Sequence, residues 1–444
     1  MKRSAWRYLW KSTDIRKKLL ISLALLAIYR LASNIPVPGI DRELVAQLTQ
    51  TGGAAGGLIN MLDMLSGGAV SNFSVLAMGV YPYITAQIIL QLLIPIIPAL
   101  ERKMQDNPSE GRAWMEKWTI ILTVPMAALS AVGQINIFNA ILGQSVAAQF
   151  GFAGEVLIPT LATILSMMAG TMFGVWLGEL ISEFGIRGQG LSLIIFAGIV
   201  SNIPQNLFTL LSDQTFWWMI FIVVALLIVT IFAVVYVQQG RRHVPVMFPG
   251  RRVGSRMSMP VKSTVPLMVN MAGMIPIIFA QSIMTFPTII ASFFNNSEVD
   301  WIRGLAENIQ NILSGEGVIY PVLFFFMVVL FTFFYTDILF AQQNYGENLK
   351  KQGAQIPGVA RGGPTQRYLT KVQRRITLPG ALFLGVVAAM PYFLGLFLPA
   401  GIQQTSIFLV SSTGLLIVVG VVRDTFQIIE TDLKMHGYDD RLIR

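Results

Sequence analysis

Cysteine is absent from the 444 residues, histidine occurs twice, and only 12% of the side chains are charged. Without cysteine there are no disulfides, thiolate metal sites or cysteine nucleophiles. The two histidines, His243 and His436, both fall between or beyond the apolar runs, so neither an intramembrane zinc pair nor a histidine-centred triad is available. No GxxxxGK[ST] phosphate loop occurs, which excludes nucleotide hydrolysis by that route. An enzyme is therefore not expected, and no cofactor or metal is implied. Soluble domains carry about 25% charged residues, and a chain with 12% charged and 54% hydrophobic residues reads as an integral membrane protein. Its first apolar run lacks a small-residue cleavage site and reads as a retained helix.

Long uncharged runs place spans near 19–35, 73–95, 118–138, 156–178, 190–207, 216–237, 267–291, 318–340, 378–398 and 406–424. The uncharged stretch from Ile376 to Val422 is too long for one span, and LPAGIQQT breaks it. With a cytoplasmic amino terminus, all but three of the 32 Lys and Arg residues lie on the inner side, the exceptions being Arg30, Arg42 and Arg303. Positive charge retained inside sets orientation, so both termini are expected in the cytoplasm. Ten spans divide into five and five, and an odd number per half sets the halves in opposite orientation; an inverted repeat is permitted but no repeat is visible. Arg30, Glu179 and Asp337 sit near span ends, where long side chains reach water. The neutral middle argues against an ion-coupled pump.

One stretch does not fit a spanning helix. Gly52 to Ala69 reads GGAAGGLINMLDMLSGGA, with an apolar core of two turns carrying Asp63 between glycine pairs. A helix rises about 1.5 Å per residue and the hydrocarbon core is about 30 Å thick, so this segment cannot cross.

Eight further stretches carry a family likeness in chain order: NIPVPGI from Asn34, LSGGAVSNFSVLAMGV from Leu65, YPYITAQIILQLL from Tyr81, GTMFGVWLGELISEFGI, LSLIIFAGIV, VNMAGMIPIIFAQSI, NLKKQGAQIPG and TGLLIVVGVVRDT. Together they resemble the SecY family, the central subunits of bacterial protein-conducting channels. The resemblance implies an all-α membrane protein with ten transmembrane helices in two inverted five-helix halves around an hourglass pore. It divides the chain into a cytoplasmic segment 1–18, an amino-terminal half 19–212, a carboxy-terminal half 213–424 and a cytoplasmic tail 425–444. The short segment becomes a re-entrant plug over about 57–67, with Leu58, Met61, Leu62 and Leu65 toward the pore, Asp63 toward water, and Gly56, Gly57, Gly67 and Gly68 as hinges.

Carried over residue by residue, the resemblance implies a waist ring of Val80, Ile84, Leu191, Ile195, Ile278 and Ile417. A dry aliphatic constriction resists ions and yields around a polypeptide because it makes no directional bonds. It also implies a lateral gate between spans two and three and spans seven and eight, with Gln87, Asn270 and Gln281 as polar contacts. Basic cytoplasmic loops over about 238–265 and 341–375 are expected to dock the motor ATPase SecA or the ribosome through Arg241, Arg242, Arg252, Arg256, Arg361 and Arg367. Two positions depart from the family pattern: Ala360 stands where an arginine is usual, with Arg361 one step later, and Ser255 replaces the first of two adjacent arginines. The implied partners are SecE-like and SecG-like small membrane subunits, signal peptides, nascent chains and the bilayer of the bacterial inner membrane. From the residues alone, a transporter of a small solute or a pore-less insertase scaffold are the other readings.

Overall fold

The computed structural model describes residues 12–40, 73–106, 108–142, 151, 156–212, 217–249, 252–253, 256–257, 259, 261–294, 299–313, 319–397 and 412–435. Helices α1 (Thr13–Ala32), α2 (Tyr81–Ile96), α3 (Pro98–Asp106), α4 (Pro108–Leu142), α5 (Leu157–Phe184), α6 (Gly190–Ser212) and α7 (Trp217–Gln239) lead into a β-ribbon. Its strands are β1 (Arg241–Phe248), β2 (Arg252–Val253), β3 (Arg256–Met257) and β4 (Val261–Met268). Then follow α8 (Ile275–Ser292), α9 (Asp300–Leu313), α10 (Ile319–Gln343), α11 (Tyr345–Lys351), α12 (Gly363–Phe397) and α13 (Ser412–Met435). Each of the ten spans read from the sequence overlaps one of these helices. By length and apolarity, four of the described helices qualify as membrane-crossing, or five when α2 and α3, bent by 94° at their junction, are taken as one broken span.

At two spans the helix starts well inside the edge read from the sequence. Helix is expected from residues 73 and 267, yet it starts only at Tyr81 and Ile275. The cause is shared: Gly79 and Gly273 adopt left-handed φ values of 51° and 66°, which side chains resist. Three residues later Pro82 and Pro276 occupy the first helical turn, where a missing N–H is no loss. GVYP and GMIP therefore open α2 and α8 in the same way. Residues 267 and 268, expected in a span, end strand β4 instead.

The 41–72 segment, with every proposed plug and hinge residue (Gly56, Gly57, Leu58, Met61, Leu62, Asp63, Leu65, Gly67, Gly68), lies outside the described residues. Its two flanks are held together. Val37 N–H donates to Phe73 O at 3.2 Å, Val75 N–H donates to Ile35 O at 2.9 Å, and Pro36 pairs with Ser74 in an antiparallel bridge. Thr163 on α5 pins this junction by donating to Pro38 O at 3.1 Å.

Beyond α7 the chain folds into a long antiparallel ribbon, β1 against β4 from Arg241↔Met268 to Phe248↔Val261. Val244 and Val246 are buried between exposed Arg242, His243 and Pro245, the period-two pattern of a half-covered strand. Met247 and Gln355 exchange backbone hydrogen bonds of 2.8 and 2.9 Å, joining the ribbon to the turn after α11. Val244, Val246, Leu267, Phe340, Leu349, Ile356 and Leu369 form one apolar core beneath both. The two basic loops expected from the sequence are thus one folded unit at one end of the bundle. At that end Lys18 Nζ donates to Asp432 Oδ2 at 3.0 Å; this hydrogen bond raises the Lys18 pKa against the opposing effect of burial, and it ties the start of α1 to the end of α13.

Candidate functional site

The six aliphatic residues expected at a waist come from four helices, and all of them belong to or pack against one large apolar cluster. Val80, the N-cap of α2, and Ile84 are four apart and share a face. With Ile195 of α6, Ile278 of α8 and Ile417 of α13 they are buried members of one apolar cluster, and Leu191 packs against it half-buried. Packing of these aliphatic side chains is driven by the removal of their surface from water.

A close helix contact sets the position of α6. A Cβ built on Gly190 would collide with the carbonyl oxygen of Gly178 on α5, and one on Gly178 would come within 2.8 Å of Leu191 Cδ2. Glycine at both positions lets the backbones approach, a common device between membrane helices. That approach delivers Leu191 and Ile195 to the cluster.

Helix α8 packs against both α2 and α4, forming a seam across the bundle. Tyr81 Oη donates to Ser282 O at 3.1 Å, and Ser292 Oγ lies 3.4 Å from Gly133 O, which it shares with a 2.6 Å bond to Ile289 O within α8. Gly133 admits Ile289, since a Cβ there would strike the Ile289 side chain. Tyr81, Ile137 and Ile289 form a small apolar contact beside a cavity of about 20 Å³ lined also by Ala77, Met78, Ser130 and Gln134. Thr285 and Thr288 bond back to Gln281 O and Met284 O on their own helix, and Thr285 also meets the Tyr81 hydroxyl across the seam.

Of the polar residues expected there, Gln281 is buried on α8 and Gln87 is half-buried on α2. Asn270 is buried too, but its Nδ2 donates to Gly273 O at 2.9 Å and closes its own turn rather than reaching another helix. The direct cross-seam bonds come instead from Tyr81 and Ser292. Neither has a sequence signal beyond its place at a helix start or end, and the receiving groups are backbone carbonyls.

The ribbon end is basic. Arg241 and Arg242 are exposed at the base of β1, and Arg252 and Arg256 fall in the short tip strands. Arg361 Nε donates to Gln355 Oε1 at 3.1 Å, fixing the turn that carries it. Arg367, Lys371, Arg374 and Arg375 line a groove of about 700 Å³ on α12. Arg374 makes paired hydrogen bonds of 3.1 and 3.0 Å to Asp337 of α10, and this partner raises its pKa. Asp337 is therefore paired rather than reaching for water by itself.

The SecY family model matches residues 74–426. The protein translocase subunit SecY of Streptomyces galbus is 35% identical over 444 residues, covering 98% of this chain and 99% of the relative. Two solved structures share the fold. One, described as a SecY protein whose plug domain stabilises the closed state of the translocation channel and maintains a membrane seal, matches with a TM-score of 0.60 at 16% identity, covering 97% of this chain and 98% of the other. The other, Sec61 in the canine ribosome-channel complex from the endoplasmic reticulum, matches with a TM-score of 0.58 at 15% identity and the same coverage.

Proposed function

The chain belongs to the SecY family, and we propose that it works as a protein-conducting channel that passes unfolded secretory polypeptides across the membrane and releases apolar segments sideways into lipid. It is not an enzyme; the work of moving the chain belongs to a partner. The observation that carries this reading is the meeting of Val80, Ile84, Ile195, Ile278 and Ile417, from four separate helices, in one apolar cluster beside a weakly bonded seam.

The steps follow from that arrangement. The basic ribbon and the α12 groove offer a rigid docking platform to the motor ATPase SecA or to the ribosome, whose phosphates reward arginine. The canine Sec61 neighbour sits in a ribosome-channel complex, which supports the ribosomal half of this proposal. A signal segment then competes for the seam between α2 with α4 and α8 with α10. The ring parts around the polypeptide, and the 57–67 segment swings away as the plug; the stitched flanks at Ile35–Val37 and Phe73–Val75 give it a fixed base to swing from. We place the chain in the bacterial inner membrane with both termini cytoplasmic, in two halves divided near residue 212, clamped by SecE-like and SecG-like subunits.

A secretory chain stalled in transit is expected to crosslink to photoreactive probes at Ile84 and Ile278. Labelling of those probes by lipid alone would refute the channel reading in favour of a scaffold, and a tight ion-dependent solute site would favour a transporter.

The seam makes a smaller prediction. Tyr81→Phe removes the hydroxyl that donates to Ser282 O while keeping the ring in place. Hydrogen bonds between membrane helices average about 0.6 kcal/mol, which corresponds to a shift of roughly threefold toward the parted seam. Open probability in planar bilayers reads that shift directly.

A further inference from the structure

Helix α9, Asp300–Leu313, joins the ends of α8 and α10 opposite the ribbon, and its residues sort into three faces. At about 100° per residue, Ile302, Ala306, Ile309 and Leu313 occupy an arc of roughly 60°. This arc is the protein face: Ala306 is 3% exposed, the others are half-buried, and Leu313 packs against the main apolar cluster. Asp300, Arg303, Glu307, Gln310 and Asn311 lie together on the far side, where Arg303 bonds Asp300 at 2.9 Å and approaches Glu307 at 4.0 Å.

Between these faces runs a third arc, with Trp301, Leu305 and Ile312 at 68%, 51% and 41% exposure around Asn308. Three large apolar side chains on one strip of a short helix stay exposed among the described residues. The helix ends that flank α9 in the chain are exposed and apolar as well: Phe293 and Phe294 at the end of α8, and Ile319 and Val322 at the start of α10. Those residues belong to the ends of two membrane-spanning helices at the level where α9 is attached, which places the strip near the boundary of the lipid.

We propose that α9 lies in the membrane interface, with Trp301, Leu305 and Ile312 seated in the lipid, the Arg303 face in water, and the Ala306 face riding on α8. Tryptophan prefers the headgroup level, and a helix with one apolar and one charged face lies in the plane of the interface. The charged face holds one Arg against Asp300 and Glu307, so the attraction is to apolar lipid and not to anionic headgroups. Because α9 is rooted on α8 and leads into α10, it gives the surrounding lipid a direct grip on the seam helices. The inference rests on α8 and α10 spanning the membrane and is independent of what passes between them.

The absence of cysteine makes the test direct. Leu305→Cys, Ile312→Cys and Glu307→Cys are made singly in the full chain, purified with its co-purifying subunits, spin-labelled and reconstituted into phosphatidylcholine vesicles with and without phosphatidylglycerol. Labels at 305 and 312 are expected to collide several-fold more with oxygen than with a water-soluble nickel chelate, the label at 307 the reverse, and the anionic lipid to change neither. Nickel access at 305 and 312 equal to that at 307 overturns the proposal, as does shielding of both from both reagents, which would mean a protein partner covers the strip. Transport measured in the same vesicles keeps the two readings apart: active vesicles with water at 305 defeat only this inference, and lipid at 305 in inactive vesicles defeats only the channel.

Discussion

Replacing Ile84 and Ile278 together by serine is expected to make the resting protein leak ions, raising basal conductance in planar bilayers by at least about tenfold. The two side chains project from α2 and α8 into the same buried cluster, on opposite sides of the seam. Each isoleucine there removes apolar surface worth about 1.5–3 kcal/mol from water. Serine forfeits that and adds a hydroxyl with no buried partner, so water becomes the favoured occupant of the gap. A narrowing wet on both walls no longer excludes ions by dewetting. Ile84→Val with Ile278→Val, which keeps the surface apolar, is expected to stay tight. A serine variant that folds and melts lower yet stays silent would show that the cluster is ordinary core, and the scaffold reading would replace the channel.

The contrast between serine and valine rests on residues whose role the sequence alone does not reveal. Val80, Ile84, Leu191, Ile195, Ile278 and Ile417 are aliphatic residues among many, and burial in a bundle is their default; only the ordered family motifs single them out, and only the fold brings four helices together at them. The helical, apolar character of the bundle was legible because a bilayer demands long apolar runs, a constraint that composition carries openly. Their starts at Tyr81 and Ile275 were not, because an apolar window reads through a glycine in a left-handed turn as readily as through a helix. The ribbon was readable only as a basic loop: its alternation of Arg242, Val244 and Val246 is short, and its cover, Phe340, Leu349 and Leu369, lies about a hundred residues on. The seam was least legible of all. Gly133 and Tyr81 act through closeness and one hydroxyl, and their partners are a neighbouring isoleucine and a backbone oxygen that no motif encodes.

Gly190→Val is expected to cost at least about 3 kcal/mol, beyond the usual 1–3 kcal/mol of overpacking. Most overpacked sites relax by moving a side chain. Here the added Cβ meets the carbonyl oxygen of Gly178, which is backbone within α5, so relief requires α5 and α6 to separate. Separation also withdraws Leu191 and Ile195 from the cluster, since both ride on α6 just after the contact. The variant should therefore show a lower melting temperature in detergent and, in whatever fraction folds, a raised ion leak. Gly304→Ala serves as the internal control: nothing lies within 4 Å of a Cβ there, and replacing a mid-helix glycine in α9 is expected to stabilise by about 0.5–1 kcal/mol without touching conductance. If Gly190→Val melts with the parent protein, α5 and α6 do not approach through these glycines, and the placement of Leu191 and Ile195 at the waist loses its physical basis.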